Sequence, residues 1–357
     1  MKLFTCDHCQ NLLYFENVVC TGCSAGLGFI PDAMHLAPLT AEGEGVHTTG
    51  GERHRYRMCA NYRDHGVCNW LVPVAGEDEF CVACRLNETI PDLNVPGNKD
   101  RWQTLETEKR RLVYALLRLG LPVSPRSRDS AGLAFAFLGD TRPNTETPAE
   151  FPTGHADGLI TINIAEADPS ERERMREKMD EPYRTLLGHF RHESGHYYWD
   201  RLISDGGRLE TFRKTFGDER QDYGQSLDQH YQQGPPTDWP QHFVSAYAGS
   251  HPWEDWAETW AHYLHMVDTL ETASHFGLRI QPPAHAGEGH TMEADFDPYA
   301  QSDFQLLVDQ WIPLTFALNS LNRSMGHGHA YPFVLAPGVI EKLAFVHGLI
   351  REVRPKR

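Results

Sequence analysis

All eight cysteines of this 357-residue chain lie between Cys6 and Cys84, and that distribution limits the fold more than any other feature. They form two sets: Cys6-x2-Cys9 with Cys20-x2-Cys23, then Cys59, Cys68 and Cys81-x2-Cys84. A turn with two cysteines so spaced presents two thiolates to one ion, and two such turns complete a tetrahedral shell. No apolar run long enough for a leader follows Met1–Phe4, and none approaches the ~20 residues a membrane span needs. A cytoplasmic protein is expected, in which thiols stay reduced and paired cysteines hold metal rather than forming disulfides.

The first set, CxxC-x10-CxxC, has the spacing of a zinc ribbon. The second is less regular, because eight residues separate Cys59 from Cys68. Eight cysteines nevertheless make two complete sites with none left over, which weighs against scattered buried thiols. His8, His54 and His65 are expected to be solvated rather than ligating. Four thiolates leave no open position, so both ions are expected to be structural zinc; iron in a rubredoxin-like site would use the same spacing. Such ions fold small modules that bury little core, and a module of this kind can dock a protein partner.

Beyond the cysteines the composition changes. Pro96 to Asp100 reads as a turn-rich junction, after which helical patterns dominate. The expected architecture is α+β: an N-terminal rubredoxin-like zinc-ribbon region over residues 1–95, then a mostly helical domain over 101–357 with a small sheet. Leu105, Leu112, Ala115, Leu116 and Leu119 form a helical stripe from Arg101 onward. Lys109 to Arg111 on that helix read as a solvated face or, with Arg126 and Arg128, as a docking patch. Leu133–Leu138 and Gly158–Ala165 read as strands, with a loop over Gly139–Asp157. Helices are expected over Pro169–Met179, Pro182–Leu202 and Trp253–Leu270, and again from Phe304 with a break at Gly326–Pro337. A formal charge of −16 argues against a nucleic-acid or membrane-surface partner, since both favour basic surfaces.

The Pro182–Leu202 segment contains His192-Glu193-Ser194-Gly195-His196. In a helix, residues four apart share a face, so His192 and His196 can hold one ion with Glu193 beside it as a proton acceptor. Only three positions of such a motif are fixed, so the rest of the chain must supply context. An open catalytic zinc wants one more protein ligand. The extension to a third histidine on the same helix fails, because Trp199 and Leu202 occupy the positions it needs. A better source is His251-Pro252-Trp253-Glu254-Asp255-Trp256-Ala257-Glu258, where Pro252 can open a helix. Glu254 is assigned as the third ligand and Glu258 as the acceptor that orients a ligand histidine. Asp255 and His262 are the alternatives, and a solvated acidic face is the competing reading.

A histidine pair followed by a later Glu-x3-Glu helix resembles the gluzincin peptidases. The segment from Tyr247 to Glu258 is similar to the tyrosine-then-glutamate stretch of anthrax lethal factor and related peptidases. That resemblance implies that Tyr247, seven residues before Glu254, polarises the scissile carbonyl. Over nearly its full length the chain resembles a bacterial family of zinc-binding metallopeptidases with an N-terminal zinc ribbon. The matching stretches are Arg57–Tyr62, Cys68–Pro73, Cys84–Asp92, His192–Leu202, Trp253–Leu270, Leu321–Met325 and Tyr331–Leu335. The resemblance also implies that Gly158–Ala165 is an edge strand that pairs with substrate backbone.

The function expected from these readings is zinc-dependent hydrolysis of a peptide or protein substrate. It requires one catalytic and two structural zinc ions. Glu193 takes a proton from a water acidified by the metal and passes it to the leaving amine. Two other readings compete: a zinc-ribbon binding module carried by an inactive or non-peptidase domain, and a hydrolase of small-molecule amides. His327-Gly328-His329 reads as a solvated loop rather than a further metal site.

Overall fold

The computed structural model describes residues 2–43, 45–49, 54–139, 153–178, 185–283 and 290–354. The chain divides into two compact units. One comprises Met1–Arg118 and Pro122–Arg174; the other comprises Leu119–Leu121 and Met175–Arg357.

The first unit begins with a hairpin, β1 (Phe4–Thr5) and β2 (Leu12–Leu13), which carries Cys6 and Cys9 in its loop. Cys20 and Cys23 form a second turn with the same backbone plan. Gln10 and Ser24, each just after the second cysteine of a pair, both take φ of 61°. Their amides reach back to Cys6 O and Cys20 O, which closes each turn.

A five-stranded antiparallel sheet follows, formed by β3 (Leu27–Ile30), β4 (His35–Gly43), β5 (Val46–Thr49), β6 (Arg55–Met58) and β7 (Leu71–Pro73) in that order. Ile30, Ala37, Tyr56, Met58 and Leu71 bury one face of it. Helix α1 (Ala60–His65) joins β6 to β7 and ends on Gly66 at φ 73°. This excursion returns Cys68 to Cys59 despite their separation in sequence. Cys81 and Cys84 lie on a third turn, directly before β8 (Asn87–Thr89).

Helix α2 (Asn98–Leu119) starts inside the segment expected to be a junction. Its Tyr114 packs edge-on to Phe15, at 5.4 Å between ring centroids. Lys109 and Arg110 are buried, so neither a solvated face nor a docking patch describes them. Lys109 Nζ pairs with Glu106 at 2.8 Å with both side chains fully enclosed, and Arg110 donates to Val67 O at 2.5 Å. Burial opposes charge on Arg110, but the neighbouring Cys68, Glu106 and Cys84 outweigh it and raise its pKa. The helix supplies cations to a thiol-rich interior, a need its own periodicity does not reveal.

A mixed four-stranded sheet runs β10 (Gly154–Ala156), β11 (Leu159–Asn163), β9 (Ala134–Leu138), β8. β11 and β9 are parallel, and both residues of the turn into β11 have positive φ: 49° at Asp157 and 80° at Gly158. An Asp-Gly pair in that conformation folds a hairpin, so β10 lies antiparallel along β11. Gly158–Ala165 is therefore an interior strand continued by a short 3₁₀ turn, and not the edge strand expected. Of the loop expected over Gly139–Asp157, residues 140–152 lie outside the described residues. Helix α3 (Pro169–Lys178) follows, with the end of the first unit falling inside it at Arg174, and Met179 also lies outside the described residues.

The second unit is helical. Helix α4 (Leu186–Trp199) is capped by Thr185, whose hydroxyl accepts from Gly188 N at 3.0 Å. Residues 182–184 of the expected helix lie outside the described residues. A π-helical turn over Asp200–Ser204 continues α4. Three short helices follow: α5 (Leu209–Phe216), α6 (Tyr223–Gln233) and α7 (Trp239–His242). The long α8 (Pro252–His275) packs on α4 and carries fully buried Trp256 and Trp260. A short hairpin of β12 (Arg279–Ile280) and β13 (Met292–Glu293) precedes α9 (Phe304–Ser324) and α10 (Pro337–Val353). Among the described residues no helix is long and apolar enough to cross a membrane.

Candidate metal centre

The two residues between Glu193 and His196 explain how α4 and α8 come together. A Cβ on Gly195 would lie 2.9 Å from Ala257 Cα, closer than atoms of two backbones tolerate, so glycine permits the approach. Trp256 Nε1 donates to Gly195 O at 2.8 Å, and Trp260 Nε1 donates to Ser194 Oγ at 3.2 Å. One residue before the motif, buried Arg191 pairs with Asp268 of α8. These contacts hold the α8 residues one turn apart, Glu254 and Glu258, against His192 and His196.

Three atoms meet there. His192 Nε2 lies 3.0 Å from Glu254 Oε2, His196 Nε2 lies 3.5 Å from that oxygen, and the two nitrogens are 3.2 Å apart. Ligands ~2.0–2.1 Å from a tetrahedral zinc lie about 3.3–3.4 Å from one another, so the triangle has the size zinc requires. His192 Nδ1 lies 2.7 Å from Glu258 Oε1. A carboxylate can only accept there, so Nδ1 carries the proton and Nε2 of the neutral ring presents a lone pair. Glu254 is almost fully enclosed, and its Oε2 meets no hydrogen-bond donor. Acceptor atoms packed this closely favour positive charge among them, as a proton on a ring nitrogen or as a metal ion, and the donor set suits zinc.

The electrostatics agree. Burial alone would lower the His192 pKa, but the negative carboxylates of Glu254 and Glu258 beside the ring outweigh it and raise it well above the usual range. Burial would raise Glu254 and Glu258, and the adjacent histidines reverse both shifts downward. Two anions and a site that favours positive charge are the conditions a dication meets.

Glu193 is buried on the same helix turn. Tyr247, on a 3₁₀ turn ahead of α8, is half-buried with its ring centroid 6.0 Å from that of His192. Its pKa is raised well above the usual phenol value, first by burial and then by the Glu254 charge. The alternatives weighed from sequence lie elsewhere. Asp255 is fully enclosed and pairs with Lys342 of α10 at 2.6 Å. His262 is bonded through Nδ1 to Tyr331 at 2.9 Å, and burial lowers its pKa to about 4. His327 and His329 are exposed.

Three residues of the site are given no role by the sequence reading. Ser245 donates to Glu258 Oε2 at 2.7 Å, holding the carboxylate that holds His192. The Trp253 ring lies against His196, 3.9 Å between centroids. Tyr223, which opens α6, donates to Glu254 Oε1 at 2.7 Å. Tyr223 and Ser245 stand among short irregular elements, where neither periodicity nor spacing singles them out.

The cysteines form two further clusters, and all eight are free thiols. Cys6 and Cys23 sulfurs are 3.8 Å apart, Cys9 and Cys20 3.6 Å, and Cys68 and Cys81 3.8 Å. Sulfurs ~2.3 Å from a tetrahedral zinc lie about 3.8 Å from one another, so both clusters have the size zinc needs. In the first, Cys9 and Cys23 are exposed; in the second, all four are buried. Backbone amides of Trp70, Cys81 and Cys84 donate to sulfurs of the second set, each at 3.4 Å. Among the described residues these clusters and the histidine–glutamate triad are the candidate metal sites, and none includes His8, His54 or His65.

Comparison with known proteins gives two matches along the chain. Residues 3–95 match a zinc-ribbon domain model, and residues 98–349 match a family described as "Putative zinc-binding metallo-peptidase". Uncharacterised proteins of Mycobacterium tuberculosis and Mycobacterium bovis are 43% identical over 360 residues, which covers 99% of this chain and 97% of theirs. No solved structure matches. With most of its length matched, and with three clusters sized for zinc, the chain belongs to this family of zinc-binding metallopeptidases, joined to an N-terminal zinc ribbon.

Proposed function

We propose that the chain is a zinc-dependent peptidase of gluzincin type, with His192, His196 and Glu254 as ligands of the catalytic ion. The observation that carries this is the triangle of lone-pair atoms closed by Glu254 Oε2, which is buried without a donor. When bound, zinc supplies a Lewis acid that acidifies water and polarises a carbonyl. Glu193 sits one residue from His192 and serves as general base, taking the proton of the attacking water and delivering it to the leaving amine. Glu258, held by Ser245, keeps His192 in the tautomer that presents Nε2. Tyr247 donates a hydrogen bond from its phenol to the carbonyl oxygen as negative charge develops there.

The two four-cysteine sets hold structural zinc, since their thiolates leave no open position. The first ribbon exposes Leu12, Tyr14, Val18 and Val19, and this apolar surface supports a role in docking a protein partner. Metal analysis tests the assignment. Wild-type protein is expected to hold three zinc ions per chain and His192→Ala two, with hydrolysis lost. A third ion retained in that variant would refute the ligand set.

A further inference from the structure

We propose that Tyr223 is a positioning residue of the metal centre, which fixes Glu254 so that one carboxylate oxygen faces the ion while the other is held away. The proposal rests on the reading of His192, His196 and Glu254 as the catalytic ligand set.

The two oxygens of Glu254 have different surroundings. Oε2 faces the histidine nitrogens without a donor, whereas Oε1 accepts from the Tyr223 hydroxyl at 2.7 Å. A carboxylate free to rotate could offer both oxygens to the ion and occupy the position a water needs. With Oε1 engaged, only Oε2 is available.

The local structure holds Tyr223 in place. Asp222 caps α6 by accepting from Gln225 N at 2.8 Å. Just before it, Gln221 O lies 3.3 Å from His251 Nε2. The other ring nitrogen of His251 accepts from Trp253 N at 3.1 Å, so Nε2 carries the proton and donates to Gln221. His251 is also the N-cap of α8, three residues before Glu254, so the starts of α6 and α8 are tied together. The Tyr223 ring meets His251 and Trp253 edge-on at 5.3 and 5.9 Å. By contrast, α6 buries none of its side chains completely. Its tyrosine is placed by the site more than by a core, and Tyr223→Phe keeps the ring contacts while removing only the hydroxyl.

The test uses the full chain, loaded with zinc, as wild type and as Tyr223→Phe. Thermal unfolding and retention of the two cysteine-bound ions serve as controls for folding. Loss of the third zinc to a chelator is expected to become about 10- to 100-fold easier, the usual effect of removing an outer partner of a metal ligand. Mild chelation followed by cobalt(II) then places a spectroscopic probe in the histidine–glutamate site alone. The visible spectrum of the variant is expected to shift toward higher coordination, a change that a loss of general stability would not produce. Unchanged zinc release with an unchanged cobalt spectrum would overturn the role of Tyr223 and leave the ligand assignment standing. Wild-type protein that binds no third ion would overturn both.

Discussion

At the residue scale, Glu254 and Glu258 lie one helical turn apart and make two different kinds of contact with the histidines. Glu254 turns an oxygen without a donor toward both histidine Nε2 atoms, whereas Glu258 meets His192 at Nδ1 and accepts from Ser245. Glu254→Gln is therefore expected to strip the third zinc during gel filtration. Glu258→Gln should weaken its binding only about 10- to 100-fold, and the reverse ranking in a chelator competition would exchange their roles. A pH dependence follows from His192. In metal-stripped protein its pKa lies well above the usual value, so zinc must displace a proton. Affinity should rise with pH until that elevated pKa is passed, and titration in buffers of different ionisation enthalpy would report the released proton. The stripped protein has the opposite slope. The stability that charged His192 lends is complete below the unfolded pKa of about 6.5 and is lost as pH rises through the folded value. Both glutamates were legible in the sequence through their four-residue spacing beside the proline. Ser245 and Tyr223 were not, because a hydrogen bond across 13 or 31 residues of irregular chain leaves no local pattern.

At the scale of elements, the site depends on the close approach of α4 and α8 through Gly195. Gly195→Ala would place a methyl against Ala257 Cα and is expected to cost ~1–3 kcal/mol as the helices separate. Thermal unfolding would measure that loss, and zinc release would show the ligands drawn apart; a variant with wild-type stability and affinity would contradict the packing account. The ribbons differ in a testable way too. Two cysteines of the first set are exposed while the second set is wholly buried beside Arg110, so under chelation strong enough to reach the cysteine sites the first structural ion should leave well before the second. The long helices were readable because their apolar stripes extend over several turns. The five-stranded sheet was not, because most of its strands run only three or four residues between turns. β10 escaped notice although Asp157-Gly158 carried its hairpin signal, and the interior position of β11 follows from that turn. Lys109 and Arg110 show the limit of periodicity, which registers polar residues but not the buried anions that receive them.

At the scale of the whole molecule, three clusters sized for zinc sit in a chain whose family is described by zinc binding and peptidase chemistry. The cysteine sets and the histidine motif could be read directly, because their chemistry is set by residue type and spacing. The edges of the compact units could not, since β8 precedes the expected junction yet pairs with β9 beyond it. The central claim is that the histidine–glutamate centre hydrolyses peptide bonds with Glu193 as the base. It is tested most directly by incubating zinc-loaded wild type and Glu193→Gln with a broad peptide library and identifying the products by mass spectrometry. The account predicts cleavage by the wild type and none by the variant, with three zinc ions retained in each. A fully loaded wild type that cleaves nothing, or a variant that cleaves as well as the wild type, would contradict it.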